Sequence, residues 1–367
     1  MRQKIRPEYL IKTTPIVSST DAGKGRKNNM VILLTGGAGY IGSHVLISCL
    51  EAGHQVVVAD DYSNSSPEAV RRVEQLSGCE VPHYQGDIRD AAFVEQIFKA
   101  HPISAVMHFA GLKAVGESVA QPLSYYDVNV AGTVTLLKAM AAAGVYRLVF
   151  SSTAAVYGNH DILPLTEESP LGQPSSPYGR SKLMVEDLLA DLSASDPRWS
   201  ISILRYFNPA GAHASGCIGE DPRGVPANLI PYAMQVAIGH RASLAVFGTD
   251  YPTPDGTGVR DYIHVMDLAE GHLAALDHMQ DRQGFRIWNL GSGAGYSVRQ
   301  IIEGMEAITG KPLPWQAAPR RPGDTAQYWA DPARAAIELG WRTKRDLQEM
   351  LRDHLRWQMQ NPKGYDT

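Results

Sequence analysis

Short apolar runs alternate with amphipathic segments through the first half of the chain. The run Val31–Thr35 has the length and composition of a buried parallel strand, and residues 36–61 then read as a glycine-rich turn, a helix and a second strand. Further strand-like runs follow at Val81–Gln85, Ala105–Phe109 and Arg147–Ser151, with helical segments between them. This alternation predicts an α/β fold with a doubly wound parallel sheet.

The pattern changes near residue 208, where the alternation weakens and loops rich in Pro and Gly become frequent. We therefore expect a Rossmann-type nucleotide-binding domain at 30–207 and, mainly at 208–367, a smaller α/β substrate-binding domain. A segment near 261–290 is expected to return and complete the first sheet. Residues 1–29 contain seven Lys/Arg and two acids without an amphipathic period, which predicts a disordered extension. A targeting peptide is the alternative.

Composition excludes several classes of function. The net charge of −4 gives no basic footprint for nucleic acid, and no apolar run approaches the roughly 18 residues of a membrane span. Cys49, Cys79 and Cys217 are few, odd in number and without metal-ligand spacing. These features favour a cytoplasmic protein with no metal site.

Three glycines lie between the first strand and the first helix. Gly36, Gly39 and Gly42 form G-x-x-G-x-x-G, a spacing that allows a tight turn and close approach of the backbone to a pyrophosphate. The helix begins near Tyr40–Ile41, where free N–H groups and the positive end of the dipole favour phosphate. This context predicts a dinucleotide site.

The second strand ends in an acid, which indicates the cofactor. Asp60 lies about 20 residues beyond the glycines, where a carboxylate binds the hydroxyls of the adenosine ribose. A carboxylate there repels a ribose 2′-phosphate, and Asp61 rather than an arginine comes next. The sequence therefore favours NAD over NADP.

The stretch SPYGRSK (176–182) has the features of a helix start. Ser176 is a candidate N-cap, and Tyr178 and Lys182 are four residues apart, which places a phenol and an ammonium on one helix face. A neighbouring cation favours phenolate, which would act as a general base. An ordinary surface pair is the alternative.

Six motifs occur in order along the chain: TGGAGYIG (35–42), HFAGLKAVGES (108–118), SSTAAVYG (151–158), SPYGRSK (176–182), RYFNPAGAH (205–213) and GVRDYIHVMD (258–267). Together they resemble the extended short-chain dehydrogenase/reductase family and, within it, the nucleotide-sugar 4-epimerases. The likeness runs from about residue 30 to the C-terminus.

The resemblance implies a catalytic set and a reaction. Tyr178 is similar to the family's catalytic tyrosine, Lys182 to the lysine that lowers the tyrosine pKa, and Thr153 to a hydroxyl residue that is serine in many relatives. The implied activity is the reversible interconversion of UDP-galactose and UDP-glucose at C4, through a 4-keto sugar, with tightly bound NAD. The implied assembly is a homodimer built on helices within Leu123–Ala143 and Lys182–Ser195.

The resemblance also assigns binding residues. The implied cofactor set is Gly36, Gly39, Tyr40, Ile41, Gly42, Asp60, Asp61, Tyr62, Ser63, Asn64, Ser65, Asp87, Ile88, Phe109, Ala110, Gly111, Leu112, Lys113, Asn129, Tyr178, Lys182 and Phe207. The implied substrate set is Lys113, Thr153, Tyr178, Asn208, Asn228, Leu229, Ala245, Val246, Phe247, Arg260, Arg321, Asp324 and Tyr328. Asn129 lies near the end of the run PLSYYDVNV (122–130), which reads as extended, and a helix cap is its alternative role.

Three other functions stay open. The chain could epimerise another UDP-sugar, such as an N-acetylhexosamine or a uronate. A nucleotide-sugar 4,6-dehydratase would need an acidic pair after Thr153, but Ala154 and Ala155 stand there. A catalytically silent NAD-binding regulator would not need to keep the catalytic set.

Overall fold

The computed structural model describes residues 29–172, 174–280, 282–321 and 324–366. The predicted disordered extension lies outside the described residues, apart from Asn29. Within the described residues, seven parallel strands form one sheet in the order β3-β2-β1-β4-β5-β6-β10. The first six of these positions follow the strand order typical of a dinucleotide-binding sheet, and the predicted α/β class is confirmed.

The strands of the chain are β1 (Val31–Thr35), β2 (Gln55–Asp60), β3 (His83–Gln85), β4 (Ala105–His108), β5 (Arg147–Thr153), β6 (Ser200–Tyr206), β7 (Asn208–Ala210), β8 (Leu244–Phe247), β9 (Val259–His264), β10 (Gly284–Leu290), β11 (Gly295–Ser297), β12 (Trp315–Ala318) and β13 (Gln327–Tyr328). The predicted strands are present, with ends that differ by one or two residues.

The helices are α1 (Tyr40–Glu51), α2 (Pro67–Ser77), α3 (Ala91–Ala100), α4 (Val115–Ala120), α5 (Pro122–Tyr125), α6 (Gly132–Ala142), α7 (Pro177–Ser195), α8 (Leu229–Ala237), α9 (Val265–His278), α10 (Val298–Thr309), α11 (Ala333–Glu338) and α12 (Leu347–Gln360). A π-helical segment, Tyr126–Ala131, joins α5 to α6, and a 3₁₀ turn, Ala154–Tyr157, follows β5.

Apolar side chains cover both faces of the large sheet. On one face, Leu34 of β1 and Trp288 of β10 belong to a buried cluster with residues of α1 and α9. On the other face, Leu33 and Phe150 pack with residues of α3, α6 and α7. Because successive side chains of a strand point to opposite faces, Leu33 and Leu34 contribute to different cores.

The second half of the chain builds two small sheets. Strand β9 pairs with β7, β11 and β13, and β8 pairs with β12. Helices α8, α10 and α12 share a third apolar cluster with these strands. Only part of the segment expected to return to the large sheet does so. Strand β10 completes that sheet beside β6, whereas β9 lies in the small sheet with β7, β11 and β13. The domain boundaries themselves stay a prediction.

Among the described residues, no helix is both long enough and apolar enough to cross a membrane.

Candidate active site

The predicted cofactor loops follow the carboxyl ends of parallel strands, which meet at one edge of the sheet. They follow β1 (Gly36 to Gly42), β2 (Asp61 to Ser65), β3 (Asp87 and Ile88), β4 (Phe109 to Lys113) and β6 (Phe207). The carbonyl of Thr35 accepts hydrogen bonds from the N–H groups of Phe109 (2.8 Å) and Ala110 (2.9 Å), which holds two of these loops together. Gly36 has a φ of +72°, and a Cβ there would lie 2.6 Å from the Ala110 nitrogen. Only glycine fits this close approach.

The start of helix α1 and the end of β2 form the cradle predicted for a dinucleotide. Helix α1 has Gly39 as its N-cap, with no capping side chain and no acid in its first turn. Its first N–H groups and the positive end of its dipole are thus available to an anion. The carboxylate of Asp60 accepts from the backbone N–H groups of Ala38 (3.0 Å) and Tyr62 (3.0 Å). This donor and acceptor set fits a pyrophosphate and a ribose.

The loop after β2 wraps around the Asp60 carboxylate. Tyr62 has a φ of 59°, in the left-handed region that non-glycine residues seldom adopt. This turn brings the hydroxyl of Ser65 to within 2.7 Å of Asp60. Burial raises the pKa of Asp60. The hydrogen bonds that the carboxylate accepts act in the opposite direction, and the one from Ser65 contributes most. The Asp87 carboxylate, in contrast, is paired with Arg89, which lowers its pKa.

Asn129 holds the loop after β4 rather than capping a helix. The expectation that the run before Asn129 is extended is wrong, because Pro122–Tyr125 is α-helical and Tyr126–Ala131 is π-helical. Asn129 is buried; its amide group donates to the carbonyl of Leu112 (3.0 Å) and accepts from the N–H of the same residue (2.8 Å). It also donates to the hydroxyl of Ser181 on α7 (2.9 Å). A π-helical turn at such a place is frequent at functional sites.

Helix α7 begins as its sequence predicts. The hydroxyl of Ser176 accepts from the N–H of Gly179 at 3.2 Å, and Pro177 occupies the first turn. Gly179 is explained by packing, since a Cβ there would lie 2.9 Å from Pro174 Cβ and 3.1 Å from the Ala155 carbonyl oxygen. The missing side chain lets this end of α7 lie directly against the turn that follows β5.

This contact brings the three implied catalytic residues together. Tyr178 and Lys182 are one turn apart on α7, and Thr153 ends β5. The Thr153 side chain is close enough to Tyr178 to lower the pKa of its phenol. The buried ammonium of Lys182 donates to the carbonyl of Ser151 at 2.9 Å and lies 4.8 Å from the centre of the Phe150 ring.

Burial opposes the effect that Lys182 is expected to have on the tyrosine pKa. Burial raises the pKa of Tyr178 above its ordinary value, although the Thr153 side chain lowers it. Burial also lowers the pKa of Lys182 to about 8, although the Glu186 carboxylate raises it. Burial, which the sequence did not reveal, thus disfavours the charged form of both groups.

The implied sugar residues lie beside the tyrosine. The Tyr328 hydroxyl donates to Asn208 Oδ1 at 3.2 Å, and the Asn208 amide donates to the carbonyl of Asp261 at 2.7 Å. Phe207 lies against one side of the Tyr328 ring, with 5.9 Å between the ring centres. The guanidinium of Arg260 lies 4.9 Å from the same ring. Arg260 also donates to the carbonyls of Val259 and Thr325, both at 2.8 Å, so its orientation is fixed.

The other implied substrate residues are less enclosed. Arg321 donates to Asp324 at 2.8 Å and lies 5.0 Å from the ring centre of Phe247. Ala245, Val246 and Phe247 belong to β8, and Leu229 begins α8. Asn228 is the N-cap residue of α8, but its side chain does not cap the helix.

The sequence analysis did not single out Glu220. Its buried carboxylate accepts hydrogen bonds from Lys113 and from Asn228, both at 3.3 Å. The loop CIGEDPRG shows no periodic pattern, and Lys113 lies 107 positions from Glu220 in the sequence, so no local signal indicates that contact.

Among the described residues, no group of His, Cys, Asp and Glu is arranged to hold a metal ion.

Comparison with known proteins agrees with this geometry. A UDP-glucose 4-epimerase of Yersinia pestis is 55% identical over 336 residues, which cover 92% of this chain and 99% of the relative. The crystal structure of the Bifidobacterium longum UDP-glucose 4-epimerase in complex with NAD+ and UDP has a TM-score of 0.89 at 51% identity, and covers 91% of this chain and 99% of its own. The UDP-Glc/GlcNAc 4-epimerase of Campylobacter jejuni has a TM-score of 0.79 at 38% identity, over 90% of this chain and all of its own.

The sequence profile of the NAD dependent epimerase/dehydratase family matches residues 32–291, about 70% of the chain. Together with the dinucleotide cradle and the Thr153, Tyr178 and Lys182 cluster, this match shows that the chain belongs to the NAD dependent epimerase/dehydratase family.

Proposed function

We propose that this protein is an isomerase that interconverts UDP-galactose and UDP-glucose by inverting the configuration at sugar C4 with retained NAD. One observation carries the proposal: the tyrosine, threonine and lysine cluster lies at the same sheet edge as the dinucleotide cradle. Relatives more than 50% identical over nine-tenths of the chain are UDP-glucose 4-epimerases.

NAD, when bound, supplies an acceptor for the C4 hydride and returns that hydride to the keto sugar. Tyr178 takes the proton of the 4-hydroxyl as a phenolate and, as the phenol so formed, returns it to the C4 oxygen when the keto group is reduced. The Thr153 side chain lowers the pKa of Tyr178 and so favours the phenolate. Lys182, held by the Ser151 carbonyl, places a cation in the buried site. Arg260 and Arg321 are suited to the diphosphate, because guanidinium groups bind phosphate oxygens in pairs.

The 4,6-dehydratase alternative lacks the groups that its reaction needs. A 4,6-dehydratase must remove a proton and protonate a leaving group, but Ala154 and Ala155 begin the turn after Thr153 and carry neither acid nor base. Incubation with UDP-galactose, UDP-glucuronate and dTDP-glucose in parallel separates these activities. Formation of UDP-glucose from the first substrate alone supports the proposal. Water elimination from dTDP-glucose, or turnover of the uronate alone, contradicts it.

Asp60 is expected to determine the cofactor. Protein denatured after purification should release NAD and little NADP, because a buried carboxylate at this position repels a 2′-phosphate. Asp60→Asn should retain less NAD than the unmodified protein, since one half of the amide donates where a ribose hydroxyl needs an acceptor. Asp61→Asn should have the smaller effect, because Asp61 is exposed. Equal retention of NAD and NADP by the unmodified protein would contradict this assignment.

Tyr328 is expected to restrict the size of the sugar. Its ring is held by Phe207, Arg260 and Asn208, so it fills its space rigidly, and a close-packed pocket has no room for an acetamido group. Tyr328→Cys should turn over UDP-N-acetylglucosamine while keeping most of its activity on UDP-galactose. Tyr328→Phe keeps the ring and should still exclude the larger sugar. Comparable turnover of both sugars by the unmodified enzyme would refute the restriction.

The assembly we propose is a homodimer. Exposed apolar side chains lie on three helices that contact one another: Val115 and Val119 on α4, Leu123 on α5 and Met184 on α7. Leu123 is 82% exposed and Val119 is 62% exposed, which is costly unless a second surface covers them. Light scattering should give twice the chain mass, and the Leu123→Lys, Met184→Lys double variant should give a monomer. A monomeric unmodified protein would contradict the proposal.

The compartment we propose is the cytoplasm. Cys49, Cys79 and Cys217 are all free, and Cys79 is exposed, a state that a reducing compartment maintains.

A further inference from the structure

A buried carboxylate joins two of the implied substrate residues, which belong to different halves of the chain. The Glu220 side chain is 3% exposed, and its Oε1 lies 3.3 Å from Lys113 Nζ and 3.3 Å from Asn228 Nδ2. Lys113 belongs to the loop after β4 of the large sheet, whereas Asn228 is the N-cap residue of α8 in the second half of the chain. A single oxygen thus accepts hydrogen bonds from both halves.

The surroundings of Glu220 fix its place. Its backbone carbonyl accepts from the Trp357 indole at 3.1 Å. Its second carboxylate oxygen, Oε2, is buried and has no hydrogen-bond partner in the part of the chain that the structure describes. A charge in such a place needs compensation, and the ion pair with Lys113 provides it.

The two partners of Glu220 keep capacity for a ligand. The Lys113 side chain is 49% exposed, and an ammonium group has three donors, of which Glu220 takes one. The Asn228 side chain is drawn to Glu220 instead of capping its own helix. Both side chains are therefore held by one buried anchor.

We propose that Glu220 is a positioning residue that fixes Lys113 and Asn228 relative to each other and so determines the affinity for the nucleotide part of the substrate. This inference rests on the proposed function, because it takes a UDP-sugar as the ligand. The carboxylate acts through its two partners, so its removal should weaken binding and leave the chemical step largely intact.

The test measures binding separately from turnover. Calorimetry with UDP on the NAD-loaded protein as purified should give a Kd about 10-fold higher for Glu220→Gln, within the range typical of coupled binding groups. The KM for UDP-galactose should rise by a similar factor, while kcat changes by less than about 3-fold. An unchanged Kd for UDP, or an equal fall in kcat, would overturn the proposal.

A double-mutant cycle identifies the route of the effect. Lys113→Met should also raise the Kd for UDP, and Glu220→Gln should add little once the lysine is gone, because the anchor then has nothing to hold on that side. Factors that simply multiply in the double variant would show that Glu220 does not act through Lys113. Since Lys113 is half exposed, its variant should fold even if Glu220→Gln does not.

Glu167 provides a matched control. Its side chain is also 3% exposed, and it accepts from the N–H of Asn289 at 2.7 Å rather than from a proposed ligand residue. Glu167→Gln should leave the Kd for UDP unchanged within about 2-fold. An equal loss in this variant would show a general effect of removing a buried carboxylate. Epimerisation by the unmodified enzyme is assayed alongside, so failure of the proposed function is distinguished from failure of this inference.

Discussion

Tyr178→Phe is expected to lower kcat by about 10²–10⁴-fold, the usual contribution of a general acid–base group. The substitution removes the phenol oxygen that is proposed to move the proton and keeps the ring that fills the site. NAD should stay bound, since the cradle formed by the β1 and β2 loops does not depend on the hydroxyl. The measurement is kcat for UDP-galactose, with the NAD content of the purified variant determined in parallel.

Tyr146→Phe is the control for the loss of a phenol. Tyr146 precedes β5, at the end of the strand opposite Thr153, and its hydroxyl makes a long hydrogen bond of 3.5 Å with the Ala141 carbonyl. The Tyr146→Phe variant should be as active as the unmodified enzyme. Near-normal epimerisation by Tyr178→Phe would remove the tyrosine from the proposed mechanism.

Lys182→Met is expected to reduce turnover and to move the pH dependence of kcat. A phenol that acts as a base gives a rate that rises with pH through its pKa. Burial already raises the pKa of Tyr178, and loss of the neighbouring cation raises it further, so the rising limb should move to higher pH. The pKa of Lys182 is itself lowered to about 8 by burial. The lysine is charged below about pH 8 and stabilises the phenolate most in that range. The activity of Lys182→Met relative to the unmodified enzyme should therefore be lowest there.

The comparison is made on pH–rate profiles of the two enzymes over the range in which both stay folded. A Lys182→Met enzyme whose profile has the wild-type shape and position would show that the lysine charge does not govern the tyrosine.

The sequence predicted those elements that depend on contacts between residues close together in the chain. The apolar runs gave the strands of the large sheet, and the glycine spacing placed the turn before α1. Ser176, Pro177 and the spacing of Tyr178 and Lys182 predicted a helix start with both groups on one face, which the structure confirms. In each case the determining contacts lie within a few residues.

Features that depend on distant contacts were not predictable. Glu220 lies 107 positions from Lys113 in the sequence, and neither residue carries a signal for the other. The contacts of Asn129 could not be foreseen because its partners, Leu112 and Ser181, meet only in the folded chain. The pKa shifts of Tyr178 and Lys182 depend on burial, which a pattern of residue types does not give.

The central claim is that the C4 hydride leaves the sugar and returns to it within one closed site. The most direct test incubates the enzyme, without added NAD, with UDP-galactose that carries deuterium at C4, in ordinary water. The account predicts UDP-glucose in which the deuterium remains at C4, since the hydride is removed and returned without passing through solvent. Product that has lost the deuterium to water, or turnover that requires added NAD in stoichiometric amount, would contradict it.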